Sequence, residues 1–111
     1  MAFVTAGRNS MLNYIGTQIT HLALYTDVGA TTEVTGGTYA RKAVTWNAAS
    51  SGSMTASNAP VFDVPAGTTV RAVGFMSAVT AGTQYAFDEV TAESYGGAGT
   101  YAVSSATLSI T

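Results

Sequence analysis

Cysteine is absent from this 111-residue chain, which excludes disulfides and thiolate metal sites. Charge is nearly as scarce: 9% of residues are charged, against roughly 25% in a typical soluble domain. Four basic residues stand against six acidic ones, for a net charge of −2, so nothing here recruits nucleic acid or an anionic membrane by charge. No apolar run approaches the ~20 residues of a membrane span. The first eight residues carry no basic segment ahead of an apolar one, and no signal peptide is visible. The expectation is a chain made in a cytoplasm that stays there or leaves inside a larger particle. A surface this poor in charge is weakly protected against association, which favours a protein whose faces are covered by neighbours.

Histidine is down to one, His21. It lies in an apolar strand parity, with no local partner to orient it as a base, and reads as a core or rim residue. No serine sits in a G-x-S-x-G elbow. Asp88 and Glu89 point to opposite faces of a strand. Asp27 and Glu33 flank one loop but fall short of the oxygen count that calcium needs. The Gly36-Gly37 and Gly96-Gly97 pairs do not open helices, so they make no phosphate turn. The expectation is no catalytic residue, no metal and no cofactor. His21 would be the last candidate of an envelope-degrading hydrolase reading.

What is present is strand. After one helix candidate over residues 5–15, with Thr5 as cap, Met11, Leu12 and Ile15 at helical spacing and Gly16 as stop, the chain alternates. Ile19 to Tyr25 is apolar on both parities, as a central strand covered on both sides would be; the helix is the expected second cover. Strands follow over residues 38–48, 54–57, 61–64, 69–77, 83–90 and 101–110. Turn signals separate them every 8–12 residues, and residues 93–100 read as the loosest loop. The pattern predicts an all-β antiparallel sandwich of about 7–8 strands with one short N-terminal helix, in a single domain over residues 1–111.

The stretch 33–46 holds the Gly36-Gly37 bend, half of the basic residues and the only Trp. Its alternation puts Val44 and Trp46 on the core and Tyr39 and Arg41 outward. Arg41-Lys42 reads as a local partner for acids such as Asp63 or Glu89, or for a neighbouring subunit. Tyr95 and Tyr101 are the aromatics expected nearest a surface, where such side chains contribute most to binding.

Several segments in fixed order carry a resemblance. They are Leu22-Ala23-Leu24-Tyr25-Thr26, Glu33-Val34, Gly36-Gly37, Tyr39-Ala40-Arg41, Ala43-Val44, Ala48-Ala49, Val61-Phe62, Pro65-Ala66-Gly67-Thr68-Thr69-Val70 and Val73-Gly74-Phe75. The chain resembles, over nearly its whole length, the small virion structural proteins of tailed bacteriophages. Asp27-Val28-Gly29 stands where those proteins usually have Asp-Pro-Gly, and Phe75 or Met76 where they often have Trp. The resemblance implies a non-enzymatic virion component, with capsid decoration preferred and a minor tail or tail-fibre position as the alternative. Implied partners are the major capsid protein or other virion subunits, with self-association. A host-surface polysaccharide module using the loop 93–101 is a separate reading. The residues expected at protein contacts are Phe3, Met11, Tyr14, Tyr39, Arg41, Tyr95 and Tyr101.

Overall fold

The computed structural model describes residues 1–110. One helix, α1 (Thr5–Gln18), precedes eight strands: β1 (His21–Tyr25), β2 (Lys42–Ala43), β3 (Ser53–Thr55), β4 (Val61–Val64), β5 (Thr68–Met76), β6 (Gln84–Tyr95), β7 (Gly99–Ala102) and β8 (Thr107–Ser109). All pairings are antiparallel, which bears out the all-β class. The strands form one four-stranded sheet of order β2-β1-β5-β6 and two ribbons, β3-β8 and β4-β7.

Strand β1 sits between β2 and β5, and its last four residues are all buried. One face, Leu22 and Leu24, enters the main core with Val73 and Phe75 from β5 and Phe62 and Val64 from β4. The other face, Ala23 and Tyr25, forms a smaller cluster with Ala30, Ala72 and Met76. The cover on that side is the turn 27–32, not the helix expected there. Asp27 builds the turn by accepting hydrogen bonds from the backbone N–H groups of Thr31 and Thr32 and from the Thr31 hydroxyl. Three short polar bonds fold a loop over a sheet face in less chain than a helix crossover would need.

Two register shifts explain departures from simple alternation. Between Val70 and Ala72 the pairing of β5 with β6 slips, so Val70 joins Val73 and Phe75 in the main core instead of facing the side of Ala72 and Met76. Near the hairpin end, Phe75 pairs with Ala86 but Met76 pairs with Gln84, leaving Tyr85 as an extra residue on β6. A bulge of this kind turns two successive side chains to one side of the sheet.

The expected strand over residues 38–48 is largely irregular. Gly36 and Gly37 adopt φ of +103° and +56°, and the Tyr39 N–H closes a turn on the Gly36 carbonyl. Period-two reasoning therefore fails for residues 38–41, and Tyr39 and Arg41 do not face outward. Beyond the turn it holds: Val44 is buried and Trp46 packs against the main core, its ring stacked on Phe75 at 6.1 Å and 20°. The loose loop expected over residues 93–100 is also mostly strand, since β6 runs to Tyr95 and β7 begins at Gly99.

Gly74 lies mid-strand in β5 because the Tyr25 ring lies over it; a Cβ there would run into that ring. Gly74→Val is expected to destabilise the protein by about 1–3 kcal/mol through overpacking, with Tyr25→Ala in the same chain recovering part of the loss. Urea denaturation of the single and double variants checks this.

Candidate functional site: an apolar helix face and groove

Helix α1 is docked by buried Leu12, by Ile15 against the main core, and by two asparagines. Asn9 and Asn13, one turn apart, accept hydrogen bonds from the backbone N–H groups of Gly52 and Ala49 at 2.9 Å each. Gly16, expected to stop the helix, instead lies inside it. Its missing side chain admits the Met54 thioether, which would be 3.1 Å from a Cβ. The helix then continues to Gln18, and the Ile19 N–H still bonds the Ile15 carbonyl. The expected Thr5 cap is not made; Val4 is the N-cap, without a side-chain bond. Leu12 is the one helix residue fully buried.

At about 100° per residue, anchoring Asn9, Asn13 and Gly16 turns Gly7, Met11, Tyr14 and Ile15 away from that contact. Tyr14 is 66% exposed and Phe3, just before the helix, 51%. The Phe3 carbonyl accepts a hydrogen bond from Arg8 Nη1 at 2.6 Å, which ties this segment to the first helical turn. As in an ordinary surface helix, the apolar Leu12 and Ile15 go inward, while Tyr14 and Phe3 remain as additional exposed apolar surface.

The exposed side opens onto a groove of about 540 Å³ lined by Met11, Tyr14 and Ile15 from α1, Tyr85 and Ala86 from β6, and Leu108 with Ile110 at the end of the chain. The bulge at Tyr85 puts that ring beside Ala86 on the groove side. No charged side chain lines the groove among the described residues. Of the seven residues expected at contacts, Met11 and Tyr14 line this groove, and Phe3 lies outside it beside Gly7. Ile15, Tyr85 and Ile110 were missed there. The i, i+4 pair Asn9 and Asn13 was the signal in the sequence for which side of the helix docks; the bulge left none.

The other four sit elsewhere. Tyr39 and Arg41 converge on Glu33. Arg41 donates from Nε to Glu33 Oε2 and from Nη2 to Oε1, both at 2.9 Å, and its Nη1 reaches the carbonyls of Ala78 and Ala81. The Tyr39 hydroxyl donates to Glu33 at 2.7 Å while accepting the Leu24 N–H, and its ring stacks on Phe62 at 6.3 Å. The Arg41 side chain is 8% exposed. The pair is an internal clasp joining the loop after β1 to the β5–β6 hairpin tip, not an outward signature, and the acid it uses is Glu33 rather than Asp63 or Glu89. Tyr101 packs against the main core, and Tyr95 donates its hydroxyl to the Thr100 carbonyl; both are half-buried parts of the β6–β7 turn. His21 meets the Thr20 hydroxyl at 2.9 Å, with no acid completing a catalytic set.

Burial works to raise the Glu33 carboxyl, but hydrogen bonds from Arg41 and Tyr39 and the Arg41 charge outweigh it, so its pKa lies below the ordinary value of 4.5. Burial, then the Glu33 carboxylate, push the Tyr39 hydroxyl well above its ordinary range, against the Leu24 N–H that lowers it. A carboxyl with a folded pKa below its unfolded one stabilises fully above the unfolded value and loses that contribution as pH falls through the folded one. Stability is thus expected to drop as pH falls below about 4.5, where the unfolded carboxyl protonates. Glu33→Gln should lose about 1–3 kcal/mol at pH 7, by leaving Arg41 half-paired, and should show a flatter acid limb. Asp27, whose pKa is also lowered, chiefly by the Thr31 hydroxyl, keeps its share of the slope. Thermal melts from pH 3 to pH 7 check both statements.

The geometry on the page is thus an open apolar groove on a small antiparallel β fold, without charged lining among the described residues. The comparison with protein families agrees: residues 8–111 match the family described as Podophage GP4 fiber I protein gp80, and the chain belongs to that family. It is a small phage virion structural protein. No curated protein and no solved structure matches the chain.

Proposed function

We propose that this protein is a non-enzymatic subunit of a phage appendage, fibre or tail-associated, that holds to neighbouring virion subunits through the α1 face and its groove. The observation that carries the reading is the open apolar groove beside α1, lined by Met11, Tyr14 and Tyr85 with no charged side chain among the described residues. Membership in a family described as a fibre protein supports the appendage over the capsid-surface position preferred from the sequence. No activity is assigned: the single histidine pairs with a hydroxyl, and the main acid–base cluster, Glu33 with Tyr39 and Arg41, is consumed in mutual hydrogen bonds. The polysaccharide reading loses its platform, since Tyr95 and Tyr101 serve the β6–β7 turn.

Immunogold labelling of intact virions with an antibody to this chain tests the position. Gold at the tail or its fibres is expected; gold spread over the capsid faces would overturn the appendage reading, and unlabelled particles would overturn the virion reading itself. Virions assembled with Tyr85→Glu are expected to carry much less of the chain, measured by quantitative mass spectrometry of purified particles.

A further inference from the structure

The main sheet ends on its longest strand. β6 runs for 12 residues and pairs on one side only, with β5. Among the described residues, no backbone bond reaches its outer edge between Tyr85 and Ser94. Proteins usually shorten, cover or bend such an edge, because its free N–H and C=O groups template another strand. The opposite edge of the sheet, β2, is only two residues long.

The register fixes which side chains of β6 face inward. Ala86 pairs with Phe75 and Asp88 with Val73, both residues of the main core, and Val90 packs on the same core. The inner face therefore reads Ala86, Asp88, Val90 at period two. It is not closed over. Beside Asp88 and Val90 lies a cleft of about 210 Å³ whose far wall is the segment 101–106. Beside Ala86 lies the groove described above, with Leu108 and Ile110 as its far wall. Ala86 and Asp88 are successive inward positions on one wall, as Ala106 and Leu108 are neighbours on the other, so the two openings follow one another along a single trough. The far wall uses its backbone elsewhere: the Val103 N–H bonds the Pro60 carbonyl, and the Ala106 carbonyl accepts the Ala56 N–H.

We propose that this trough accepts an extended segment of a different virion subunit, which pairs with the free edge of β6 as an added strand. The segment carries apolar side chains opposite Ala86 and Val90 and a lysine or arginine opposite Asp88. This rests on reading the chain as a subunit held by its neighbours, and it names the chemistry of what holds it.

Charge selects the occupant. β6 holds Asp88, Glu89 and Glu93, half of the six acids, and no basic residue. All three are exposed, and the ion pair found among the described residues, Arg41 with Glu33, lies elsewhere. Arg71, between the partners of Glu89 and Glu93 on β5, bridges neither. A second copy does not match this edge. β6 laid on β6 would double the acids and add no base. The chain's own basic residues are also fixed in place: Arg41 is clasped to Glu33, Arg8 is bonded to Phe3 and Thr5 in α1, and Lys42 and Arg71 lie within β2 and β5. None sits in a free extended segment. Ala86 to Val90 spans about 13 Å at 3.3 Å per residue, so the main-chain bonds of a short added strand supply affinity and its alternate side chains supply choice.

Nuclear magnetic resonance titration of the isotope-labelled full chain with three synthetic peptides tests the proposal. The first alternates threonine with valine, lysine and valine, so that one face presents valine, lysine, valine. The second has glutamate in place of lysine. The third is the first with its backbone nitrogens methylated, which removes the ladder donors. Only the first is expected to slow the hydrogen exchange of every second amide over residues 85–90, by about tenfold when the peptide stands at roughly ten times its Kd. Asp88→Lys should reverse the choice, so that the glutamate peptide binds more tightly than the lysine peptide by about threefold or more. Glu89→Lys, on the opposite face of β6, should not reverse it. Both acids are exposed, so circular dichroism should show the fold of each variant intact. Four results would each overturn the proposal: no protection of β6 by any peptide, equal protection by the lysine and glutamate peptides, shifts confined to α1 and residues 108–110, or protection of β6 in the concentrated chain without peptide, which would make a second copy the occupant. Labelling of virions is read separately, so a failed titration leaves the appendage reading standing, and unlabelled virions leave the strand-accepting edge standing.

Discussion

Burial of β1 on both faces is the constraint from which the rest of the structure follows. A strand with Leu22 and Leu24 on one side and Ala23 and Tyr25 on the other cannot leave either side wet. The larger side requires a second layer, supplied by β4 with Phe62 and Val64. The smaller side needs only a thin lid, because Ala23, Ala72 and Gly74 keep it shallow and one ring, Tyr25, fills most of it. The turn 27–32 is sufficient for that. Helix α1 adds to the main-core side through buried Leu12 and through Ile15, and leaves Tyr14 outside.

The scarcity of charge has a structural counterpart. Of four basic and six acidic residues, the ion pair present among the described residues is Arg41 with Glu33, and it lies inward. Partly buried charges repay their desolvation only when nearly every donor and acceptor is used. Here the guanidinium meets two carboxylate oxygens and two backbone carbonyls, and Tyr39 supplies a further donor to the same carboxylate. The clasp fixes the irregular segment 36–41, which has no ladder of its own, against β1 and the hairpin tip. It replaces the strand that alternation alone would have drawn there.

Class, helix and core strands were legible because they rest on local chemistry. Two-faced β1, the turn at Asp27, the Gly36-Gly37 bend and the core placement of Val44 and Trp46 all follow from side-chain period and turn residues. What escaped was set by contacts distant in sequence. The Tyr39–Arg41 orientation depends on a positive-φ turn followed by capture by Glu33 and by carbonyls near residue 80. The side of the sheet that Tyr85 takes depends on a one-residue slip against β5, which shifts every later parity argument. The direction of α1 depends on Asn9 and Asn13 finding N–H groups some forty residues away. Met11 and Tyr14 were legible as contact candidates, whereas the groove they line with Tyr85 and Leu108 was not.

The helix also poses an energetic problem that its own contacts only half resolve. Fourteen residues sit at the lower limit of what holds as an isolated helix, and this one lacks a side-chain cap and buries a single side chain fully. Two asparagine bonds are worth about 1 kcal/mol each in net stability, enough to place the helix but little against its fraying. Phe3 and Tyr14 remain 51% and 66% exposed, so burying them against a neighbouring subunit would add stabilisation. Attachment through this face, as proposed above, would couple to the ordering of α1, because anything that binds only the folded helix stabilises it by mass action.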